Sequence, residues 1–451
     1  MGKFKFCGLL IAGLACLMFS CLGGDSTTID DWNLSNAQIS SFSLSNDSIA
    51  SLSDVKFTID QVNGKIFNRD SMPYGTVINE KVLCSMTFEI GVAGVLMVSR
   101  STGDSVYWTA STDSIDFSSS VVITAYSYDG VSSKTYEAKI NIHQVNPDSM
   151  VWEFHSVLIP GKSFEDMKVI PCNNAYYMYV SEKGAFYLYK TDEADLTNWT
   201  DVALSGFPDK AVLSRITECE SVLYVFDTDG LLYRSIDGQT WSQVANAPSV
   251  KTLLGYIPEG PAGSKPVLSV VLKVDEALRF AVMDKDMEWR TGGEVPASFP
   301  LSGFSVLNYE VVYHPYLAVS TGRDGNNGLS NRLWSTMNGL SWIPLTNEQA
   351  AFSKREGAVL FCYDDLFYIT GGIDESGTAL SDLYYSKDKG VTWWQDTVRI
   401  MPENYIARGF SSVLVDKDNF VLLFGGKAGK DTNILSELWR GRINRFGFGK
   451  E

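Results

Sequence analysis

Ser386 to Trp393 reads SKDKGVTW, a stretch with the spacing of a tight turn between two β-strands. Asp388 can bond its own backbone, Gly390 can take a positive φ, Thr392 re-enters a strand, and Trp393 offers a large flat surface for burial. Two segments carry the same chemistry one residue shorter: Ser235 to Trp241, SIDGQTW, and Thr336 to Trp342, TMNGLSW. With the tryptophan as marker, Trp152, Trp199 and Trp289 join the series. Successive markers stand 42 to 53 residues apart, an interval in which four short strands form one repeating unit.

Each unit holds two apolar runs in fixed order. The first runs are AYYMYV, VLYVFD, PVLSVV, YLAVST, LFYITGG and NFVLLFGG; the second are AFYLYK, LLYRSI, RFAVMD, RLWSTM, DLYYSK and ELWRGR. Both sets are short and rich in aromatic and β-branched residues, as strands are. The turn pattern matches the "Asp box" S-x-D-x-G-x-T-W of several β-propeller families, and Gly371-Gly372 and Gly425-Gly426 resemble the double glycine of kelch repeats. The reading is an all-β chain ending in a six-bladed β-propeller of mixed kelch and Asp-box type, residues 148–446. Counting predicts its closure. ELWRGRIN near residue 440 is a third strand with no fourth after it, and MVWEFHS near 150 is a fourth strand without predecessors. Pairing them removes both free edges.

The meander sorts the loops. First-to-second and third-to-fourth turns fall on one face, and second-to-third loops and blade connections on the other. The second-to-third loops are short in blades one to three (SEKG, TDG, KVDEA) and long in blades four to six (TGRDGNNGLSN, GGIDESGTALSD, GGKAGKDTNILSE). The asymmetry predicts a wall on one side of the ring with a groove beside it, and loops on a rigid scaffold are where binding resides. The candidate ligand-binding residues are therefore Arg323, Asp324, Asn326, Asn327, Arg355, Glu356, Asp374, Glu375, Tyr405, Arg408, Lys427 and Asp431.

Ahead of the ring, residues 37–147 read as a small β-sandwich, with alternation in VKFTI, a two-residue Asn63-Gly64 hairpin, and VVITAY and TYEAKINI joined by a Tyr128-Asp129-Gly130 turn. The order DFSSSVVITAYSYDGVSSKTYEAKINI resembles the end of an immunoglobulin-like domain. Residues 1–20 carry Lys3 and Lys5 and then an apolar run from Phe6 to Phe19, too short to span a bilayer. This reads as a secretory signal ending at Ser20-Cys21, which resembles a lipobox with Cys21 as the lipid attachment site. The alternative is an ordinary signal peptide. Residues 21–36 are a polar tether, in which Asp25 resembles the acids of a surface-export signal. Loss of residues 1–20 removes two lysines and no acid, taking the formal charge from −16 to −18. Such a chain repels nucleic acid.

No chemistry-bearing motif completes itself. The three histidines, His143, His155 and His314, are far apart, no G-x-S-x-G occurs, and GGKAGKDT at Gly425 has the wrong spacing for a phosphate loop. The acidic turns at Asp227 and Asp324 read as plain turns rather than Ca²⁺ loops. Arg323, Arg355 and Arg408 resemble the arginine triad of sialidases, but the Arg-Ile-Pro signature is missing; His155 to Pro160 lacks the arginine. Cys84, Cys172, Cys219 and Cys362 read as free core thiols. No cofactor or metal is expected.

The whole arrangement is similar to an uncharacterised group of Bacteroidetes-type lipoproteins with an Ig-like front domain and a kelch-like propeller. That resemblance implies a monomeric protein lipid-anchored at the outer membrane, facing the periplasm or the cell surface. The expected function is non-enzymatic binding of a glycan or envelope protein through the long-loop face. The alternatives are a glycoside hydrolase or lyase using carboxylates of that face, or a scaffold.

Overall fold

The structure, a computed structural model, describes residues 34–49, 51–78, 80–346 and 351–447. The expected signal segment, Cys21 and nearly all of the tether lie outside the described residues. The chain divides into two compact units between Asn146 and Pro147. Among the described residues the helical elements are four short 3-10 turns, and no helix is long and apolar enough to cross a membrane.

The N-terminal unit holds two sheets. One has three strands, with Lys81–Phe88 between Ile39–Ser45 and Ser114–Asp116. The other has six, in the order Phe57–Asp60, Lys65–Asn68, Ser133–Lys139, Val121–Ser127, Val92–Ser99, Ser105–Trp108. Alternating side chains of both sheets meet in one core, including Leu44, Val82 and Ile115 from the first and Val95, Ile123 and Tyr136 from the second. The hairpin at Asn63-Gly64 has a four-residue loop, not the two-residue one expected. Asp60 pairs with Lys65 across Gln61 to Gly64, and Asp60 Oδ1 accepts the amides of Val62 and Asn63 at 3.0 and 2.9 Å. That carboxylate caps the longer turn.

The C-terminal unit is a ring of six four-stranded antiparallel sheets. Five are built from consecutive strands. The sixth combines Ser412–Val415, Val421–Phe424 and Glu437–Ile443 with Met150–Val157 from the start of the unit. Trp152 lies opposite Gly441 and Phe154 opposite Trp439. A Cβ on Gly441 would sit 2.5 Å from the Trp152 ring, so glycine there is what admits the indole.

Six apolar cores fill the seams between neighbouring blades, and each marker tryptophan belongs to a different one. Trp241, Trp342, Trp393 and Trp152 are buried in the seams one–two, three–four, four–five and five–six. Trp199 and Trp289, half-buried, pack on the seams six–one and two–three. The indole therefore reaches back to the preceding blade, and this shortens the fourth strand. In four blades the tryptophan ends the turn, and only two or three paired residues follow, as in Ser242–Gln243 and Trp394–Gln395.

The turns carry one shared network. Gly390 N–H donates to Ser386 Oγ at 2.8 Å, and Asp388 Oδ1 accepts Ser386 Oγ and Thr392 N–H, each at 2.8 Å. Ser235 and Asp237 repeat this around Gly238, and Thr336 and Asn338 around Gly339.

Candidate functional site

The long loops begin where two successive residues take positive φ: Thr321-Gly322 at 61° and 90°, Gly371-Gly372 at 69° and 97°, Gly425-Gly426 at 62° and 106°. A Cβ on Gly371 would lie 2.5 Å from Arg408 O, which explains the glycine there. Each loop then folds onto itself through bridges at Arg323–Leu329, Ile373–Ala379 and Lys427–Ile434, and the last two loops join at Thr378–Gly429. The long loops are internally bonded. Asp324 Oδ1 accepts the amides of Asn326 and Gly328, each at 2.9 Å, and Asp374 Oδ1 accepts those of Ser376 and Thr378 at 2.9 and 3.0 Å. Those carboxylates hold their own turns. Among the described residues no group of three or more His, Cys, Asp or Glu side chains could hold a metal ion.

Arg355 and Arg408 correct the sequence reading most sharply. They are 0% and 2% exposed. Arg355 donates through Nε to Ser353 O, through Nη1 to Gly371 O, and through both Nη to Asp382 at 2.5 and 2.9 Å. Arg408 repeats the scheme with Ile406 O, Gly425 O and Glu437 Oε2, the last at 2.7 Å. Each guanidinium ties the first glycine of a pair to the third strand of its own blade, so neither is offered to a ligand. Arg323 pairs with Glu356 at 2.6 Å and donates to Asn327 O at 3.0 Å. The three arginines thus form no shared carboxylate-binding cluster.

Tyr405 lies under Arg408, 4.5 Å from its guanidinium, and beside Trp439 at 5.3 Å; burial pushes its phenol up to about 12. Asn326, Asn327, Glu375 and Asp431 are exposed on the loops, and Lys427 is half-buried at the root of the last one.

The concave surface lies beside the wall. A groove of about 720 Å³ crosses the low side of the long-loop face. It runs between Thr228–Gly230 of the second blade, Ser249–Thr252 and Lys273 of the third, and Leu301–Gly303 with Asp324 and Gly325 of the fourth. Its inner end shares Ser214, Arg215 and Gly303 with a second cavity of about 590 Å³, the channel enclosed by the six innermost strands. Of the twelve sequence candidates only Asp324 lines either space.

The charged groups at the channel mouth come from residues the sequence reading passed over. Asp166 and Lys168 stand at alternate positions at the start of the first blade's innermost strand, Asp166–Cys172, and so share a face. Arg215 ends the 3-10 turn Leu213–Arg215 that leads into the second blade. It stacks 4.0 Å from the Phe304 ring and donates to Phe304 O at 2.7 Å. Burial, with Arg215 adding to it, lowers Lys168 to about 8; burial lowers Arg215 to about 10 and raises Asp166. A lysine and an acid alternating in SFEDMKVIP, an otherwise apolar innermost strand, were the available signal.

The four thiols of the described residues are free, and burial pushes Cys84 and Cys219 up to about 12. Such thiols are poor nucleophiles.

Ring and front unit together define an all-β propeller protein with an N-terminal β domain. The family model described as the DUF6242 beta propeller domain matches residues 146–451, and that of the DUF6242 N-terminal domain, a domain of unknown function, matches residues 32–140. The chain belongs to this family. No curated protein matches it. Among solved structures it is similar to the one titled "Structure of YjhT", with 15% identity over 61% of this chain and 95% of that chain and a TM-score of 0.45.

Proposed function

We propose that this is a non-enzymatic binding protein of the cell envelope that takes a glycan in the groove on the low side of the long-loop face. The observation that carries this reading is the groove itself. It is concave, continuous with the channel, and of a volume that holds a few sugar units, within the range of small-molecule sites. A flat protein partner would not need such depth. The carboxylates bordering it argue for binding over hydrolysis. Asp324 is held by its own turn and Asp229 by Lys210 at 2.9 Å, whereas a glycosidase needs two carboxyls free to exchange protons.

Lys3 and Lys5, the apolar run and Cys21 support a lipid anchor at the outer membrane. The resemblance to immunoglobulin-like domains supports a spacer role for the front domain, and the wall's internal bonding supports a fixed rim rather than a closing lid. One set of preparations tests the reading. Cys21→Ala should leave the membrane fraction, and the soluble mature chain should bind a defined class on a glycan array. Thr228→Trp, which fills the groove, should abolish that binding, and Asn326→Trp on the wall should leave it. Loss of binding with the wall variant alone, or no glycan bound at all, contradicts the proposal.

A further inference from the structure

We propose that the channel mouth is a seat for an oxyanion, a carboxylate or phosphate group of the groove's ligand, held by Lys168 and Arg215; this rests on reading that face as the ligand site. Buried cations normally take a carboxylate partner. Arg323, Arg355, Arg399 and Arg408 each have one within 3 Å, at 2.6, 2.5, 2.9 and 2.7 Å. Arg215, half-buried, has no such ion pair among the described residues. It spends one N–H on Phe304 O, and its buried Nε has no acceptor. Lys168, half-buried, feels Arg215 and Asp166 through charge alone, with no hydrogen bond among the causes of its shift. Two cations without a close ion pair among the described residues, in a chain of formal charge −16, border the same cavity.

The carboxylate that acts on both is Asp166, whose Oδ1 accepts the Met167 amide at 2.8 Å. Lys427, from the sixth blade, acts on Asp166 and adds positive charge on that side. Arg215 and Ser214 line the groove as well as the channel, so an acid group seated there leaves the rest of the ligand along the groove. A guanidinium with free N–H groups beside an ammonium suits an oxyanion, which accepts from both.

The groups facing Lys168 are Asp166 on its own strand and Arg215 from the second blade, with Lys427 beyond Asp166. Affinity should fall as pH rises through about 8, where Lys168 loses its proton. It should rise on acidification as Asp166, held above its ordinary value by burial, takes a proton.

Calorimetry of the soluble mature chain tests this with trigalacturonate, inorganic phosphate and a neutral galactose trisaccharide, near-ultraviolet circular dichroism confirming each variant's fold. Trigalacturonate should bind, with affinity lowered roughly tenfold by Lys168→Gln and raised about threefold by Asp166→Asn. The loss above pH 8 should disappear in Lys168→Gln. Binding of phosphate but not trigalacturonate still supports the seat and assigns the ligand a phosphate. Equal affinity for acidic and neutral trisaccharides, unmoved by either substitution, overturns the seat and leaves the groove reading standing. Binding of none of the three probes overturns the seat, and the array decides the groove separately.

Discussion

Arg355 and Arg408 show how one residue type can read as a site and serve as a frame. In both blades the arginine is followed 16 or 17 residues later by the first of two glycines, and 27 or 29 residues later by the carboxylate it binds. That recurrence was visible in the chain, and it marks a structural role because a ligand site has no reason to repeat blade by blade. Arg355→Leu should destabilise the protein by about 3 kcal/mol, since it leaves Asp382 partly buried and unpaired. Adding Asp382→Leu should recover part of the loss. Urea unfolding checks this: a double variant no more stable than the single one contradicts the pairing as the source. Lys168 and Arg215 went unseen for the opposite reason. They occur once each, Lys168 in an innermost strand and Arg215 in the short turn that leads into the next one, and only the closed ring brings them together.

At the scale of the element, the turn ending in tryptophan was the most legible feature, because its side-chain bonds are local: serine to glycine amide, aspartate to one or two of the amides that follow. What the spacing did not reveal is that the turn is also a seam. Gly238 has a φ of 74°, and a Cβ there would lie 2.7 Å from the Tyr177 ring of the preceding blade. Gly184, in a second-to-third turn, has nearly the same φ, 75°, with nothing within 4 Å. Gly184→Ala should therefore cost only backbone strain, about 1–2 kcal/mol, and Gly238→Ala about 1–3 kcal/mol more from overpacking. Equal shifts in the denaturation midpoint would contradict the seam. In the long loops the acidic turn at Asp324 was legible as a plain turn, and its carboxylate does hold its own loop, yet the same residue also reads as a ligand contact, because an Asx turn and a binding loop begin with the same letters.

For the whole molecule, the number of blades and the joining of the two ends followed from counting markers and strands, since a repeat that cannot bury its face alone must stack. The position of the groove followed in part: loop lengths placed it beside the wall, while its chemistry depends on innermost strands drawn from different blades. Closure supports every placement above, because Met150–Val157 completes a sheet with Glu437–Ile443, nearly three hundred residues away. Arg440 bonds Glu153, and Arg445 bonds Asp148 across the same junction. Hydrogen exchange of the amides in these two strands is the direct measurement. Both should exchange only with the slowest, global opening of the ring and with the same denaturant dependence. Fast, denaturant-independent exchange of Met150–Val157 beside a protected Glu437–Ile443 would mean that the ring is not closed by this strand.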